Sequence, residues 1–378
     1  MKVVFVTTLY PTDSEPAHGP FIRDQAYALT RSGCEVTVLH ANLRSPRSFR
    51  RGAESPPEFE PRAEDAPSVL RWNGWTARVR SIPVLARYGA GKLASRYLQH
   101  EAPPDVVHGH FCFGGGTAAA LVASKMNRPL VITEHSTEFA RGQAVGWRRD
   151  VIRRAAEAAD SLIAVSEGLA VLLEQVTRRQ AIVIPNVVDV DLFRPRELAR
   201  REGLFRIVSV GSLTKKKGYD ILLRALALLP SGAWRVTLIG EGLERRRLTS
   251  MAHDLGIAGQ VGMPGILERE AVAALLSEAD AFVSSSRFET FGVAAAEALS
   301  VGVPVITTRS GGPESFVEAP FGLVVESDPA SIAEAIGAVM GGGLRFDPRA
   351  SHAKIGASFG PTAIAGMLQE VYASLADP

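Results

Sequence analysis

Residues Ala281 to Thr307 read AFVSSSRFETFGVAAAEALSVGVPVIT, and this stretch decides the fold class. An apolar run ends at Ser284, small residues from Gly292 onward open a helix, and a second apolar run follows at Pro304–Thr307. Short apolar runs on either side of a helical stretch are typical of parallel strands joined by a crossover helix. The stretch therefore predicts a strand–helix–strand unit of a parallel α/β sheet.

The same alternation continues through the chain. Besides Ala281–Ser284 and Pro304–Thr307, the predicted strands are Val3–Thr8, Glu35–His40, Asp105–His108, Leu130–Glu134, Ser161–Val165, Ala181–Ile184, Phe205–Gly211, Arg235–Gly240 and Leu323–Val325. The predicted helices are Phe21–Arg31, Lys92–Glu101, Gly115–Lys125, Gly146–Ala158 and Pro361–Leu375. The stretch Asn42–Ala66 is rich in Pro, Arg, Ser and Glu, so we expect a mobile surface loop there.

A chain of 378 residues is too long for one ordinary core, which favours two domains. We predict an N-terminal domain at 1–186, a linker at 187–203 and a C-terminal domain at 204–360, with a last helix at 361–378 packing back on the first domain. The predicted fold class is α/β, with two doubly wound, Rossmann-like domains facing an interdomain cleft. Such sheets bind ligands at the carboxyl ends of their strands.

Composition and charge reduce the number of function classes that fit the chain. A net charge of +2 gives no reason to expect nucleic-acid binding. The only two cysteines, Cys34 and Cys112, have no metal-binding spacing, and reduced cytoplasmic thiols are the default interpretation. The apolar start lacks a basic region and a cleavage site, and no apolar run spans a bilayer. We expect a cytoplasmic protein. The helical stripe from Trp147 to Arg154 favours a solvated face, with a peripheral contact at the inner membrane face as the alternative.

Two glutamates lie around the predicted helix start in the quoted stretch. Glu289 is expected at or just before the helix N-terminus, and Glu297 about two turns into the helix. Backbone N–H groups at a helix start, beside Gly292, form an anion site, while Glu289 could accept hydrogen bonds from sugar hydroxyls and Glu297 could hold a ribose. A capping Glu289 and a solvated Glu297 are the alternative. The residues alone leave this choice open.

The order Glu289-Thr290-Phe291-Gly292, the spacing to Glu297 and the later Gly311-Gly312-Pro313-Glu314 resemble the retaining glycosyltransferases of the GT4 family, which have the GT-B architecture. The resemblance covers nearly the whole chain. It implies that Glu289 contacts the donor sugar and that Glu297 holds the ribose. It also implies that the amides of Thr290, Phe291 and Gly292 bind phosphate.

A lysine cluster, Lys215 to Lys217, follows the predicted strand that ends at Gly211. Three ammonium groups at a strand end can bind a diphosphate, although a solvated cluster explains them equally well. The segment is similar to the family motif Gly-Arg-Leu-x-x-x-Lys-Gly, which implies a diphosphate contact for Lys217. Ser212 replaces the arginine of that motif, and Lys215 or Lys216 is the candidate replacement for its charge.

In the first half, His135 follows the strand Leu130–Glu134, in a segment that resembles the family motif Thr-x-His-Gly-x-Asp. It can supply a polar contact or accept a proton, and a purely structural histidine is the alternative. Gly19, in the turn after the first strand, can let the backbone approach the donor, or simply form a turn. We expect His108 and His110 to line the cleft, and no metal, since no third ligand has suitable spacing.

The resemblance implies a hexosyltransferase that moves a sugar from a nucleoside-diphosphate sugar, UDP or GDP, to an acceptor hydroxyl with retention and without metal. The acceptor can be a glycan, a lipid-linked molecule or a small molecule, and the expected pathway is glycan or glycolipid biosynthesis. The predicted catalytic residues are His135, Lys217 and Glu289. Two alternatives stay open: a sugar-nucleotide epimerase of the same architecture, and a non-catalytic sugar-nucleotide-binding module. A nicotinamide dehydrogenase is disfavoured, because no Gly-x-Gly-x-x-Gly follows either first strand.

Overall fold

The computed structural model describes residues 1–12, 15–16, 18–44, 58–60, 66–76, 78–196, 203–343 and 346–376. The chain forms two compact units. The N-terminal unit comprises Met1–Val187 together with Pro361–Pro378, and the C-terminal unit comprises Val188–Gly360. Among the helices in these described ranges, none is both long and apolar enough to cross a membrane.

The N-terminal unit is built on an eight-stranded sheet with the order β3-β4-β2-β1-β5-β6-β7-β8. Its strands are β1 (Lys2–Thr7), β2 (Glu35–Arg44), β3 (Phe59–Glu60), β4 (Ser68–Trp75), β5 (Val106–His110), β6 (Leu130–Glu134), β7 (Ser161–Ala164) and β8 (Ile182–Val183). Its helices are α1 (Pro20–Arg31), α2 (Ile82–His100), α3 (Thr117–Met126), α4 (Trp147–Ala158), α5 (Glu167–Thr177) and the final helix, Pro361–Ala376. The strand pairs are parallel except β3–β4, which is antiparallel.

The central strands of this sheet are apolar at successive positions because helices cover both faces. Val3 and Phe5 of β1 are buried in a core that also holds Ile22 and Leu29 of α1. The final helix contributes Ile364, Leu368 and Tyr372 to this core, so the end of the chain packs into the N-terminal unit.

The C-terminal unit has a six-stranded, wholly parallel sheet with the order β11-β10-β9-β12-β13-β14. Its strands are β9 (Phe205–Val210), β10 (Trp234–Ile239), β11 (Val261–Gly265), β12 (Ala281–Ser284), β13 (Val305–Thr308) and β14 (Gly322–Val325). Its helices are α6 (Tyr219–Leu226), α7 (Arg245–Asp254), α8 (Arg269–Ser277), α9 (Val293–Ser300), α10 (Pro329–Met340) and α11 (Pro348–Phe359), and the final helix of the chain is α12. Both units are doubly wound parallel α/β structures, which confirms the predicted fold class.

The predicted surface loop is partly wrong. Asn42–Arg44 continues β2, Phe59–Glu60 is a strand, and β2 pairs with β4 along its length. Polar residues and Gly74 in β4 obscured its strand pattern, although Gly74 leaves room for the Trp72 ring. Residues 45–57 and 61–65 of the predicted loop lie outside the described residues.

Helix α2 and strand β11 also differ from the sequence prediction. Helix α2 begins at Ile82, ten residues before the predicted start at Lys92. Gly89 weakens the local helix pattern, but a side chain at that position would collide with the Trp72 ring. Strand β11 reads VGMPG and was missed because Gly and Pro disfavour strands, yet at a sheet edge Pro is tolerated.

Candidate functional site

The lysine cluster and Glu289 follow two neighbouring strands at the centre of the C-terminal sheet. The chain runs from β9 outward to β10 and β11, then returns to place β12 on the other side of β9. The strand order therefore reverses between β9 and β12. In open parallel sheets, ligands bind at this reversal, beyond the carboxyl ends of the strands. The turn Lys215–Lys217 follows β9, and the loop with Glu289 follows β12.

The lysine turn is held against the β12 end by close backbone packing. Lys215–Lys217 forms a 3-10 turn, and Gly218, with φ 63°, begins helix α6. A Cβ at Gly218 would overlap the carbonyl oxygen of Ser285. Ser285 Oγ donates to the Lys217 carbonyl at 3.1 Å. Glycine at position 218 thus lets the two loops meet, which sequence alone did not reveal.

Lys217 and Glu289 are in direct contact. Lys217 Nζ lies 2.5 Å from Glu289 Oε2, and the two side chains are 18% and 13% exposed. Burial alone would raise the pKa of Glu289, but the charge and hydrogen bond of Lys217, with the charge of Lys216, hold that pKa below its usual value. Glu289 is therefore a carboxylate at neutral pH, and an ammonium group stands beside it at the strand ends.

Arg287 joins the same two loops at a second point. Its guanidinium makes two 2.8 Å hydrogen bonds to the carboxylate of Asp220, on helix α6. It also donates to the Lys215 carbonyl at 2.8 Å, while the Arg287 backbone N–H donates to the Lys216 carbonyl at 2.7 Å. A planar guanidinium fixes geometry through such paired contacts. Arg287 therefore clamps the lysine turn next to the Glu289 loop.

Helix α9 begins where the family resemblance implied a phosphate contact. Gly292 precedes it with φ 91°, and a side chain there would collide with Pro313. Within the part of the chain that the structure describes, the N–H groups of Phe291 and Gly292 donate to no other residue. The Phe291 ring is buried against Phe316 and Phe359. The Phe291 side chain is therefore part of the interior, and only its backbone N–H is a candidate for an anion contact.

The Gly-Gly-Pro-Glu segment supports this helix start. Glu314 accepts hydrogen bonds from the N–H groups of Gly311, at 2.7 Å, and Ser310, at 3.3 Å. The carbonyl of Ser310 in turn accepts from Glu289 N–H at 2.9 Å. The loop after β13 therefore holds the backbone of the Glu289 loop in place.

Glu297 forms an ion pair with Arg269. Helix α9 starts at Val293, so Glu297 is about one turn into it rather than two. Its carboxylate is 3.5 Å from a guanidinium nitrogen of Arg269, which stacks over the Phe193 ring at 5.6 Å. Glu297 is 8% exposed, which contradicts the alternative that it is a solvated side chain.

Ser212 sits at the carboxyl end of β9 and is exposed. Its Oγ lies 3.4 Å from Thr214 Oγ1. Ser212 carries no charge, so it does not supply the positive charge of the arginine that it replaces. The lysine turn supplies positive charge here, and Lys216 lowers the pKa of Glu289.

In the N-terminal unit, His135 belongs to a row of three buried histidines at the ends of β5 and β6. His108 and His110 stack with ring centroids 4.6 Å apart, and His110 Nδ1 lies 3.2 Å from His135 Nε2. His108 is bonded through its two ring nitrogens to Tyr372 and Thr133, at 2.6 and 2.7 Å. In the described ranges, no group of three His, Cys, Asp or Glu could hold a metal ion.

Burial keeps these rings neutral. It lowers the pKa of His135 to about 3, although Asn186 acts in the opposite direction, and it lowers the pKa of His108 to about 3. Burial also lowers the pKa of His110, next to the other two rings. A neutral imidazole with so low a pKa is a weak base, which argues against the alternative that His135 accepts a proton.

Gly19 precedes helix α1 with φ 69°, and a Cβ there would press on the Leu9 carbonyl. The Phe21 ring, two residues later, lies 4.6 Å from the His135 ring. The start of α1 and His135 thus share one region of the N-terminal unit.

Sequence reasoning missed the partners of the predicted residues. It gave no role to Asp220, Arg269 or the Arg287 side chain. Asp220 and Arg287 are 67 positions apart, and no local pattern marks the pair. The strand-end rule that located Lys217 could have drawn attention to Arg287, three residues after β12.

Two family models match consecutive parts of the chain. Residues 19–192 match Glycosyltransferase Family 4, and residues 192–350 match Glycosyl transferases group 1. The chain is 32% identical over 324 residues to D-inositol 3-phosphate glycosyltransferase 1 of Catenulispora acidiphila, covering 75% of each protein. It is 26% identical over 367 residues to the putative teichuronic acid biosynthesis glycosyltransferase TuaC of Bacillus subtilis, covering 89% of this chain and 88% of TuaC.

Solved structures share the fold at lower identity. Sucrose-phosphate synthase from Thermosynechococcus elongatus has a TM-score of 0.80 at 20% identity, with 99% of both chains covered. Anabaena HepE in complex with UDP-glucose has a TM-score of 0.72 at 18% identity, with 99% of this chain and 100% of HepE covered. These matches and the two doubly wound units confirm the resemblance: the chain belongs to the GT4, or group 1, glycosyltransferases and is a hexosyltransferase with the GT-B fold.

Proposed function

We propose that the enzyme moves a hexosyl group from a nucleoside-diphosphate sugar to an acceptor hydroxyl, with retention of anomeric configuration and without a metal ion. The observation that carries the proposal is the contact between Lys217 and Glu289, placed where the strand order reverses and next to the start of helix α9. The cation suits a leaving diphosphate, and the carboxylate suits sugar hydroxyls.

The diphosphate has partners of two kinds in this proposal. The ammonium of Lys217 supplies charge, and the N–H groups of Phe291 and Gly292 supply directed donors at a helix start. The Thr290 N–H, which the family resemblance also assigned to phosphate, donates to the Glu289 carboxylate instead. Preorganised donors of this kind stabilise the charge that grows on the leaving group. The Arg287–Asp220 clamp supports this role, because it holds the lysine turn before the donor arrives.

The reaction needs no protein nucleophile in this account. The bond between the anomeric carbon and the phosphate oxygen breaks with its electron pair on the diphosphate. The acceptor oxygen bonds to the same face of that carbon, and its proton passes to the leaving phosphate oxygen. Glu289, paired with Lys217, binds sugar hydroxyls instead of attacking carbon, and neutral His135 contacts the sugar by hydrogen bonding.

In this proposal Glu297 and the backbone at Gly19 contact the nucleoside part of the donor. The Glu297 carboxylate accepts hydrogen bonds from ribose hydroxyls, while Arg269 orients it. Gly19 lets the backbone approach the donor, and the exposed hydroxyl of Ser212 adds a hydrogen bond to phosphate. We expect a UDP- or GDP-sugar, since HepE binds UDP-glucose. TuaC is named for teichuronic acid biosynthesis, which favours a role in polysaccharide or glycolipid synthesis.

The test combines donor binding with product analysis. The melting temperature is measured with UDP-, GDP- and ADP-sugars, since a bound donor stabilises the folded state by mass action. The donor that raises it is then incubated with candidate acceptors, and the anomeric configuration of the product is determined by NMR. We expect one donor class to bind and the product to retain configuration. An inverted product, or a converted donor with no acceptor present, contradicts the proposal.

A further inference from the structure

The N-terminal unit carries an exposed surface of apolar and basic side chains that the proposed reaction does not use. Residues 66–100 contain six Lys and Arg and no Asp or Glu. Val79, Val84 and Tyr88 in this stretch are 50%, 68% and 54% exposed. Together with Arg80, Arg87 and Lys92, which are also exposed, they form what we call the basic–aromatic surface.

The outward face of helix α2 orders this surface. Val84, Tyr88 and Lys92 are four residues apart, so they form one line of about 12 Å along the helix. The Lys92 ammonium lies over the Tyr88 ring at 4.9 Å. The opposite face of α2 is buried, with Leu93 and Ala94 in the interior. The outward face therefore carries apolar groups, an aromatic ring and cations together.

The surface continues from the turn before α2 to helix α4. The Arg80 guanidinium lies over the ring of Trp147, the first residue of α4, at 5.5 Å. The Tyr88 ring packs edge-on against Trp72 of β4 at 5.6 Å. Because Tyr88 and Trp147 are held by packing, they stand as fixed amphipathic rings among the basic groups.

We propose that the basic–aromatic surface docks the enzyme on an anionic lipid membrane. Headgroups of negative charge match Arg80, Arg87 and Lys92, and the acyl boundary accepts Val79 and Val84. Arg96 is left out because it pairs with Glu58 at 3.6 Å. A soluble polyanion would match the charges but has no apolar region to contact the exposed valines. The inference goes beyond the proposed function and does not depend on it, since lipid binding needs neither donor nor acceptor.

Co-sedimentation of the whole chain with vesicles tests the proposal. One set of vesicles is phosphatidylcholine, and the other is an equal mixture of phosphatidylcholine and phosphatidylglycerol. We expect sedimentation with the anionic set only, weakening as salt is added. The triple variant R80Q/R87Q/K92Q should lower the partition coefficient about 100-fold, at about fivefold for each charge. The double variant V79S/V84S should lower it about 10-fold without changing charge.

The matched control is R224Q/R235Q/R246Q, which removes three exposed arginines from the C-terminal unit. It changes net charge equally and should bind vesicles like the wild type, and melting temperatures verify that each variant is folded. The proposal is overturned if wild type ignores anionic vesicles, if the control loses as much binding as the triple variant, or if V79S/V84S binds unchanged. Binding to heparin as tight as to vesicles would overturn it in favour of a soluble polyanion.

Discussion

The substitution Lys217→Ala removes the ammonium group that contacts Glu289 and leaves that carboxylate buried. In the wild type the two groups are 2.5 Å apart, and both side chains are mostly buried. Burial is the largest single influence on Glu289, and it acts to raise the pKa of this group. Without Lys217, that influence is opposed only by weaker contacts, among them Lys216 and the Thr290 N–H.

The expected cost at neutral pH is about 3 kcal/mol of unfolding free energy. Breaking a buried ion pair by removing one partner costs about 3–5 kcal/mol, because a charge is left uncompensated. The lower end applies here, because Glu289 also has Ser286 Oγ at 3.4 Å. The rate of transfer should fall more, by about 100- to 1000-fold, as expected when one preorganised group is taken from a leaving-group site.

The stability cost depends on pH with a definite sign. In the wild type the pKa of Glu289 is below its usual 4.5, so its stabilising contribution is present above 4.5 and is lost as pH falls through the lowered pKa. In Lys217→Ala the pKa should exceed 4.5, and the carboxyl becomes neutral as pH falls through that raised value. The difference between the two proteins should therefore be largest near neutral pH and should shrink as pH falls through the raised pKa and then the lowered one.

Urea unfolding at several pH values measures this difference. Trp234 is the single tryptophan of the C-terminal unit and is fully buried in its core, which makes its emission a suitable probe. Transitions of the two units are fitted separately, since a chain with two units need not unfold in one step. The double variant Lys217→Ala with Glu289→Gln is the control, because it removes the uncompensated charge and should recover most of the loss.

A Lys217→Ala cost below about 0.5 kcal/mol at neutral pH would match an exposed surface pair and refute the reasoning. A cost that is the same in mild acid as at neutral pH would refute the assignment of the effect to the Glu289 charge.

Three other predictions address the clamp, the ribose contact and the helix start. Arg287→Lys keeps the charge but loses the paired contact with Asp220, so the rate of transfer should fall about 10-fold, and Asp220→Asn should lower it equally. The double variant should be no slower than either single variant, and additive losses in steady-state rates would contradict a shared role. Glu297→Gln should weaken the binding of a nucleoside diphosphate, measured by calorimetry, about 10-fold, and the binding of its 2′,3′-dideoxy analogue much less. Equal losses for the two ligands would contradict a contact between Glu297 and the ribose hydroxyls. Gly292→Ala should destabilise the protein by more than about 1 kcal/mol in thermal melts, because φ is 91° and the new Cβ would collide with Pro313. The control Gly337→Ala, at an open position in a helix, should be neutral or stabilising. Unchanged stability of Gly292→Ala would contradict the close packing.

The sequence predicted most of the fold because strands buried in a parallel sheet are short, continuous apolar runs. Leu130–Glu134 and Ala281–Ser284 have the predicted bounds for this reason. Strands β4 and β11 were missed because they contain residues that disfavour strands, Gly74 in the first and Gly and Pro in the second. In β4, Gly74 makes room for the Trp72 ring, which reads locally as a turn signal.

Prediction of the site was limited in the same way. The strand-end rule suggested that Lys217 and Glu289 could lie near each other, since each follows a strand of one sheet. It could not identify which charges pair. Asp220 binds Arg287, and Arg269 binds Glu297, through contacts that only the folded unit brings about. Two charged residues that pair over such long sequence separations show no fixed spacing by which the pair could be recognised in the sequence.

Calorimetric titration of UDP and GDP into the wild type and Lys217→Gln tests the central claim most directly. The claim is that the diphosphate of the donor binds at the carboxyl ends of β9 and β12. We predict that one nucleoside diphosphate binds the wild type and that Lys217→Gln weakens this binding by about 100-fold, a loss typical of a charged contact of about 3 kcal/mol. Equal affinity for the two proteins, at matched stability, would contradict the claim.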